Sequence, residues 1–265
     1  MTSQKTIRRL GFLILPIVLL VAAGGWFLFD PGFRWAEQST VSTSRPTDDA
    51  FEQRVRDYLM ENPEIIVDAM QNLEQRTQAA QQSEAQLALA AYNDELLHST
   101  DSPVGGNPLG DVTMVEFFDY NCPYCRQVAP AMIDAESGDP NLKIVYKEFP
   151  ILGPNSVFVA KAALAAARQD LYPEFHKAMM LISEPADESQ VEIVAEQIGL
   201  DMQQLRTDMQ DPAIEGEIQR NFGLAQALRI NGTPGFVIGQ EILRGATDLQ
   251  TMQTLIANAR NPAER

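Results

Sequence analysis

Cys122 and Cys125 are the only cysteines in the 265 residues. They stand as Cys122-Pro123-Tyr124-Cys125, just after an apolar run, Val112-Thr113-Met114-Val115-Glu116-Phe117-Phe118. A lone Cys-x-x-Cys that follows a strand and opens a helix suits thiol–disulfide exchange. Cys122 at a helix N-terminus gains from unpaired backbone N–H groups and the helix dipole, which favour a thiolate. Pro123 then occupies a position that needs no N–H. Cys125, one turn later, is the resolving thiol: it attacks a mixed disulfide held by Cys122, closes the pair and releases the substrate. Other uses of the two thiols fit less well. Zinc needs two more ligands, and the only histidines, His98 and His176, fall in separate expected helices. Two soft thiolates suffice for Cu(I), which stays open as a secondary property. A purely structural disulfide across so short a loop gains little.

Three further positions bear on this chemistry. Glu116 lies six residues before Cys122 in an apolar strand, where a carboxylate is costly unless used. It is read as a proton relay to Cys125, against the alternative of an outward-facing edge residue. Lys147, on the next strand, is either its charge partner or, the favoured reading, an ordinary surface lysine. Thr233-Pro234, between two glycines and ahead of an apolar strand, suits a cis peptide beside the site. His176 reads as an ordinary helix residue, and Met179, Met180 and the scattered methionines as core.

The positioning elements are legible in outline. Residues 31–47 are a Ser/Thr-rich linker. A short helix carrying Phe51, Val55, Tyr58 and Leu59 is broken at Asn62-Pro63, with Asn62 as N-cap of the next. A long helix then runs toward Leu97, with a seam at Ile66, Met70, Leu73, Thr77, Ala80, Glu84, Leu87 and Ala91 in alternating steps of four and three. Residues 48–98 therefore read as a helical stalk, self-associating or merely spacing. A turn-rich stretch marks a boundary near residue 100. Beyond it come the Val112–Phe118 strand, a helix from Cys122 to about Glu136, and a Leu142–Phe149 strand. A helical block spans about 155–229, followed by a hairpin turned at Gly239-Gln240 and a last helix from about Asp248 to Ala259. Strand–helix–strand, helical block, hairpin and helix make an α/β chain: a thioredoxin core with an inserted helical domain over 101–265.

Charge and targeting narrow the setting. The net charge is −16. Residues 1–46 carry five Lys/Arg against two acids, and residues 101–265 carry twelve against twenty-three. An acidic body excludes nucleic acid as partner, since phosphate binding needs a basic face. Lys5, Arg8 and Arg9 precede an uncharged run from Leu10 to Phe29, long enough for a bilayer core. Residues 1–30 therefore read as a cytoplasmic tip and transmembrane anchor with the body outside. The alternative is a signal peptide cleaved near Val21-Ala22-Ala23. Either reading exports the body to a compartment where disulfides persist.

Val115 through Cys125, with Phe149-Pro150-Ile151-Leu152-Gly153 and Gly232-Thr233-Pro234-Gly235-Phe236-Val237-Ile238-Gly239, resembles the DsbA family of bacterial exported thiol–disulfide oxidoreductases. The resemblance covers about residues 101–265. It implies that Cys122 is the nucleophile, Cys125 its partner and Glu116 a buried proton-transfer group. Thr233 and Pro234 then border the active site against substrate backbone, with Pro123 and Tyr124 beside the thiols. It also implies no cofactor beyond the Cys122–Cys125 disulfide. The partners would be cysteine-containing exported proteins and a membrane redox protein of DsbB or DsbD type, at a bacterial inner membrane with the catalytic domain in the periplasm. Phe51 through Ile66, with Tyr58-Leu59-Met60-Glu61-Asn62-Pro63, is similar to the N-terminal region of ScsC-like members, linked to copper tolerance. Some of those oligomerise through this region and act as disulfide isomerases. Two features depart from the oxidase pattern: the dipeptide is Pro-Tyr, not Pro-His, and Thr233 stands where oxidases commonly carry Val and isomerases Thr.

Overall fold

The computed structural model describes residues 46–261. The anchor reading of Leu10–Phe29 and most of the linker lie outside the described residues. Among those described, no helix is long and apolar enough to cross a membrane.

The chain divides into two compact units at Asn62. In the first, α1 spans Pro46–Glu61. Asn62 does not cap the next helix as expected. Its side chain turns back to donate to Tyr58 O at 2.8 Å, and Pro63 takes the cap position without a side-chain bond.

The second unit opens with α2 (Glu64–Ala91) and α3 (Asn93–Leu97). The single helix expected to reach Leu97 is broken at Tyr92, whose φ of −107° and ψ of 15° leave the helical region. The break lets α3 turn Leu96 fully into the core. Along α2, Ile66, Val67, Met70 and Leu73 remain exposed, and only Leu89 is buried. The polar centre of the seam is in part an attachment, since Glu84 pairs with Arg229.

Five strands form one sheet in the order β1-β3-β2-β4-β5. The central pair, β2 (Val112–Phe118) and β3 (Leu142–Glu148), is parallel, with Glu116 opposite Tyr146 and Phe118 opposite Glu148. β4 (Gly235–Ile238) runs antiparallel to β2, and β5 (Glu241–Arg244) completes the hairpin. β1 (Val104–Gly106) pairs antiparallel with β3. The glycines that make residues 104–106 look like a turn are there for space: a Cβ on Gly105 would lie 2.8 Å from Tyr146 Cε2.

Alternation along the strands builds two cores. Met114, Phe118, Ile144 and Tyr146 face α4 (Pro123–Gly138) and the helical insertion. Val115, Phe117, Val145 and Phe149 face Leu89, Leu96 and the end of α9. The insertion comprises α5 (Pro154–Ala167), α6 (Tyr172–Leu181), α7 (Glu188–Ile198), α8 (Met202–Asp208) and α9 (Pro212–Ala227). Alanine lets α5 sit at its centre: Ala160, Ala162, Ala163, Ala165 and Ala166 are all buried. Asp187, Asp201 and Asp211 cap α7, α8 and α9 through their carboxylates. α10 (Leu249–Arg260), capped by Asp248, closes the fold.

Lys147 is neither of the things its sequence context offered. It is 1% exposed, so it is not a surface lysine. It also sits on the sheet face opposite Glu116, because residues 146 and 147 point to opposite sides. Its ammonium donates to Glu95 O at 2.9 Å and Ser102 Oγ at 2.7 Å. Ser102 in turn donates to Glu217 Oε1 at 2.7 Å. Lys143 donates to Leu97 O at 2.7 Å. Two β3 lysines thus hold the terminal carbonyls of α3, where cations are favoured. Leu96→Ala should cost about 2–5 kcal/mol, the range for emptying a buried leucine site, read as a lowered urea midpoint.

Candidate active site

β2 ends at Phe118, and the four residues that follow turn the chain into α4. Cys122 is the N-cap of α4, with φ −77° and ψ 117°, and Pro123 begins the helix. Asp119, which sequence reasoning did not single out, organises this turn while itself 1% exposed. Its carbonyl accepts the Cys122 N–H at 3.0 Å. Its Oδ1 accepts from Asn121 N and Ser156 Oγ, both at 2.8 Å. Its Oδ2 accepts the Leu152 N–H at 2.9 Å. One buried carboxylate therefore fixes the cysteine turn and the 150–153 loop together. The signal was present: an acid three residues before a reactive cysteine, between two aromatic residues.

The insertion is tied to the same turn. Asn121 Nδ2 donates to Ala186 O at 2.9 Å, and Ala186 N donates back to Asn121 Oδ1 at 2.8 Å. Arg126, one residue beyond the pair, donates to Tyr120 O at 2.7 Å and Glu184 O at 2.7 Å.

The predicted site residues converge around Cys122. Cys125 is fully buried, Cys122 is 4% exposed, and Tyr124 is 60% exposed beside them. The two thiols are free. The Thr233–Pro234 peptide is cis, and the Cys122 sulfur lies 3.2 Å from Thr233 O, to which it donates when protonated. Pro234 is buried and Thr233 half-buried. Immediately after them, Gly235 leaves room for Ile230, since a Cβ would lie 2.6 Å from Ile230 Cγ2 and force that side chain to shift.

The electrostatics separate the two sulfurs. A hydrogen bond from the Cys125 thiol holds Cys122 down at about 5, helped by the Thr233 side chain and the N–H groups of Cys125 and Tyr124, and opposed by burial. Cys125 moves the other way. Burial pushes it far up, and the bond to Cys122 and the Glu116 charge add to the push. Cys122 is thus a thiolate at neutral pH beside a protonated Cys125, the division of labour that exchange requires.

Glu116 is 2% exposed on the face of β2 toward α4, so the outward-edge reading fails. Burial raises its carboxyl to about 8. His176, 8% exposed, stacks on Tyr172 at 5.6 Å and lies 3.1 Å by Nδ1 from the Tyr120 hydroxyl. Burial holds it neutral, at about 3, with Lys177 adding to the depression. Met179 and Met180 are core. Among the described residues no group of three or more His, Cys, Asp or Glu is placed to hold a metal ion.

Residues 113–257 match the DSBA-like thioredoxin domain. The chain belongs to this family. Residues 49–80 match the N-terminal domain of the copper resistance protein ScsC. A thioredoxin-like oxidoreductase from Silicibacter pomeroyi DSS-3 is 45% identical and superposes with a TM-score of 0.62, covering 63% of this chain and 96% of that one. Proteus mirabilis ScsC, in a transitional conformation, is 26% identical with a TM-score of 0.62 over 85% of this chain and 100% of its own. The thioredoxin-like DsbA fold expected from the sequence is therefore the observed one. Among curated relatives, the Na(+)/H(+) antiporter NhaA 3 of Salinispora tropica is 26% identical over 150 residues, or 56% of this chain and 23% of the antiporter. The chain thus spans about a quarter of the length of the curated relatives it first matches.

Two outcomes follow from these electrostatics. Cys125→Ala should raise the Cys122 titration clearly above 5, and Thr233→Val should raise it less, because Cys125 supplies the largest lowering influence; thiolate absorbance against pH reads both. For Glu116, the folded value of about 8 exceeds the ordinary 4.5, so the folded state keeps a proton that the unfolded chain has lost. Glu116's own contribution to stability should fall as pH rises from 4.5 to about 8, opposite in sign to that of the lowered Cys122. Glu116→Gln should remove that part of the slope, worth up to about 5 kcal/mol, in urea midpoints taken across the interval.

Proposed function

We propose that this chain is an exported, membrane-anchored thiol–disulfide oxidoreductase acting on protein cysteines, and that it works as a disulfide isomerase assembled through residues 48–98. The observation that carries the chemistry is the Cys122 sulfur: a helix N-cap held at about 5, with a protonated Cys125 behind it and Thr233 facing it. A client disulfide is attacked by the Cys122 thiolate. A Cys122–client S–S bond forms, the client S–S bond breaks, and the electron pair leaves on the second client sulfur. In isomerisation that freed client thiolate attacks another client disulfide, and a client thiolate finally displaces Cys122, so no net electrons move. In reduction Cys125 attacks instead. It gives its proton to Glu116, forms the Cys122–Cys125 disulfide and expels the client thiolate. Oxidation runs these two steps backward, with Glu116 returning the proton to Cys125. The pair needs no cofactor, and a membrane redox protein of DsbB or DsbD type would reset it.

Tyr124 and Leu152, 60% and 52% exposed, offer apolar surface to a client beside the thiols. The uncovered Ile66, Val67, Met70 and Leu73 of α2 support self-association, because such a row on a helix needs a partner. The match of residues 49–80 to the ScsC N-terminal domain supports it too. The apolar run Leu10–Phe29 behind Lys5, Arg8 and Arg9 supports an inner-membrane anchor with the domain in the periplasm.

That same match favours a second reading, Cu(I) handling by the two thiols. Cu(I) titration against a competing thiol ligand separates the two, since an oxidoreductase alone should compete weakly. For the isomerase reading, the full chain should sediment as an oligomer and reactivate scrambled ribonuclease. Replacing Met70 and Leu73 together with Lys should give monomers that lose most reactivation yet still oxidise a reduced peptide. A wild-type monomer, or a double variant that reactivates equally well, would overturn the stalk assignment. Cys122→Ser should abolish both activities.

A further inference from the structure

β5 forms one edge of the sheet and, among the described residues, pairs only with β4. The hairpin's parity shows which of its backbone groups are spent. Ile238 and Glu241 flank the turn, and Gly245 N donates to Pro234 O at 2.8 Å. Residues 241, 243 and 245 therefore bond inward, while the N–H and C=O of Ile242 and Arg244 point to the outer edge. Across a gap from that edge stands α2. It is anchored toward its C-terminal end, where Leu89 shares a core with Val237 and Glu84 pairs with Arg229. Between helix and edge lies a groove of about 590 Å³, walled by Gln78, Gln81, Gln82 and Gln86 on one side and by Ile242 and Arg244 on the other. All of these glutamines are exposed.

We propose that this groove takes an extended segment of a client polypeptide as one more strand on β5, held from its other side by the α2 glutamines. The groove is continuous with the active site. The Arg244 end of the edge is paired with Gly235, directly after the cis Thr233–Pro234 segment. Asn231, two residues before Thr233, lines the same groove, and Thr233 O lies 3.2 Å from the Cys122 sulfur. It is nevertheless a separate surface from the one offered by Tyr124 and Leu152. It opens on the α2 side of the sheet, whereas α4 and α10 pack on the other.

The lining suits peptide backbone better than a charged ligand. Arg229 is engaged by Glu84. Arg244 donates through Nε to Arg229 O and through Nη2 to Leu228 O, both at 2.9 Å. The cations of the groove are thus already partnered. Each glutamine amide offers both a donor and an acceptor, and an extended chain presents N–H and C=O along both of its edges. Amides on one wall and a strand edge on the other therefore match a polypeptide backbone without demanding particular side chains. Four residues at about 3.4 Å each make an edge about 13 Å long, and strand addition draws its affinity from such main-chain hydrogen bonds. The substrate class this implies is extended, incompletely folded polypeptide of varied sequence. Only the naming of the occupant as a client rests on the oxidoreductase reading; the groove itself needs no thiol.

The test uses the full chain carrying Cys122→Ser, so that no thiol exchange contributes. The probe is a short fluorescein-labelled peptide rich in Thr and Val, without cysteine, and binding is read by fluorescence anisotropy. A second peptide of the same sequence has alternate backbone nitrogens methylated. The first should bind saturably and the methylated one about tenfold or more weakly, because strand addition needs those N–H groups. Ile242→Pro removes an outward N–H while leaving the bonds to β4, a change that edge strands tolerate. Gln81→Ala with Gln82→Ala strips the opposite wall at exposed helix positions, where alanine favours the helix. Both variants should weaken the first peptide by a similar factor. Absence of saturable binding, equal binding of the methylated peptide, or wild-type affinity in both variants would overturn the proposal. So would variants that bind the peptide normally but sediment as smaller species, which would make the groove a contact between copies of the chain. A wild-type chain that binds the peptide yet fails to exchange with protein thiols would sink the oxidoreductase reading and leave the groove standing.

Discussion

The N–H groups of Tyr124 and Cys125 converge on the Cys122 sulfur, where the Cys125 thiol and the Thr233 side chain also arrive. Much of the domain serves to keep that convergence in place. A helix end leaves its first N–H groups unsatisfied, and a thiolate satisfies them only if the N-cap sulfur is held over them. Asp119 supplies this restraint from below through four hydrogen bonds to backbone and side chain. The cis Thr233–Pro234 segment supplies it from the side. Because Asp119 also grips Leu152 and Ser156, the geometry at the sulfur depends on where the insertion begins.

The insertion is joined to the site at three levels. Asn121 and Ala186 exchange two hydrogen bonds at the cysteine turn. Arg126 binds the carbonyls of Tyr120 and Glu184 one turn down α4. Deeper still, His176 and Tyr172 pack with Tyr146 and Phe118 of the sheet. These contacts surround Glu116 and Glu148 with aromatic rings, and burial there favours the neutral acids. The apolar packing that stabilises the domain thus also sets the protonation of the groups beneath the thiols.

The opposite face of the sheet does different work. Lys147, Ser102 and Glu217 form a buried polar chain that ends at Arg220 and Asp101. Together with Lys143 it anchors α3, and through α3 the end of α2, to the catalytic sheet. Burial lowers Lys147, while Glu217 and Glu95 act to keep its charge. Strand alternation therefore separates the buried charges of the two central strands: Glu116 and Glu148 toward α4, Lys147 toward α3, where the buried Glu217 of α9 meets it through Ser102.

The sequence by itself determined the chemistry and the order of elements. Two cysteines one helical turn apart after a β-run, a Thr-Pro between glycines, and breakers placed as helix caps are local signals, and local backbone physics is enough to read them. The breakers Gly199 and Pro212 likewise stand where α7 ends and α9 begins. Tertiary structure decided what depends on partners far along the chain. Gly105 is a strand residue because Tyr146 needs its space. Lys147 is buried away from Glu116 because parallel register turns alternate residues to opposite faces. Asp119 matters because Leu152 and Ser156 come to it from more than thirty residues away. The roles of the two cysteines follow from their order at the helix start, while the burial of Cys125 and its bond to Cys122, which widen the difference between the sulfurs, are tertiary.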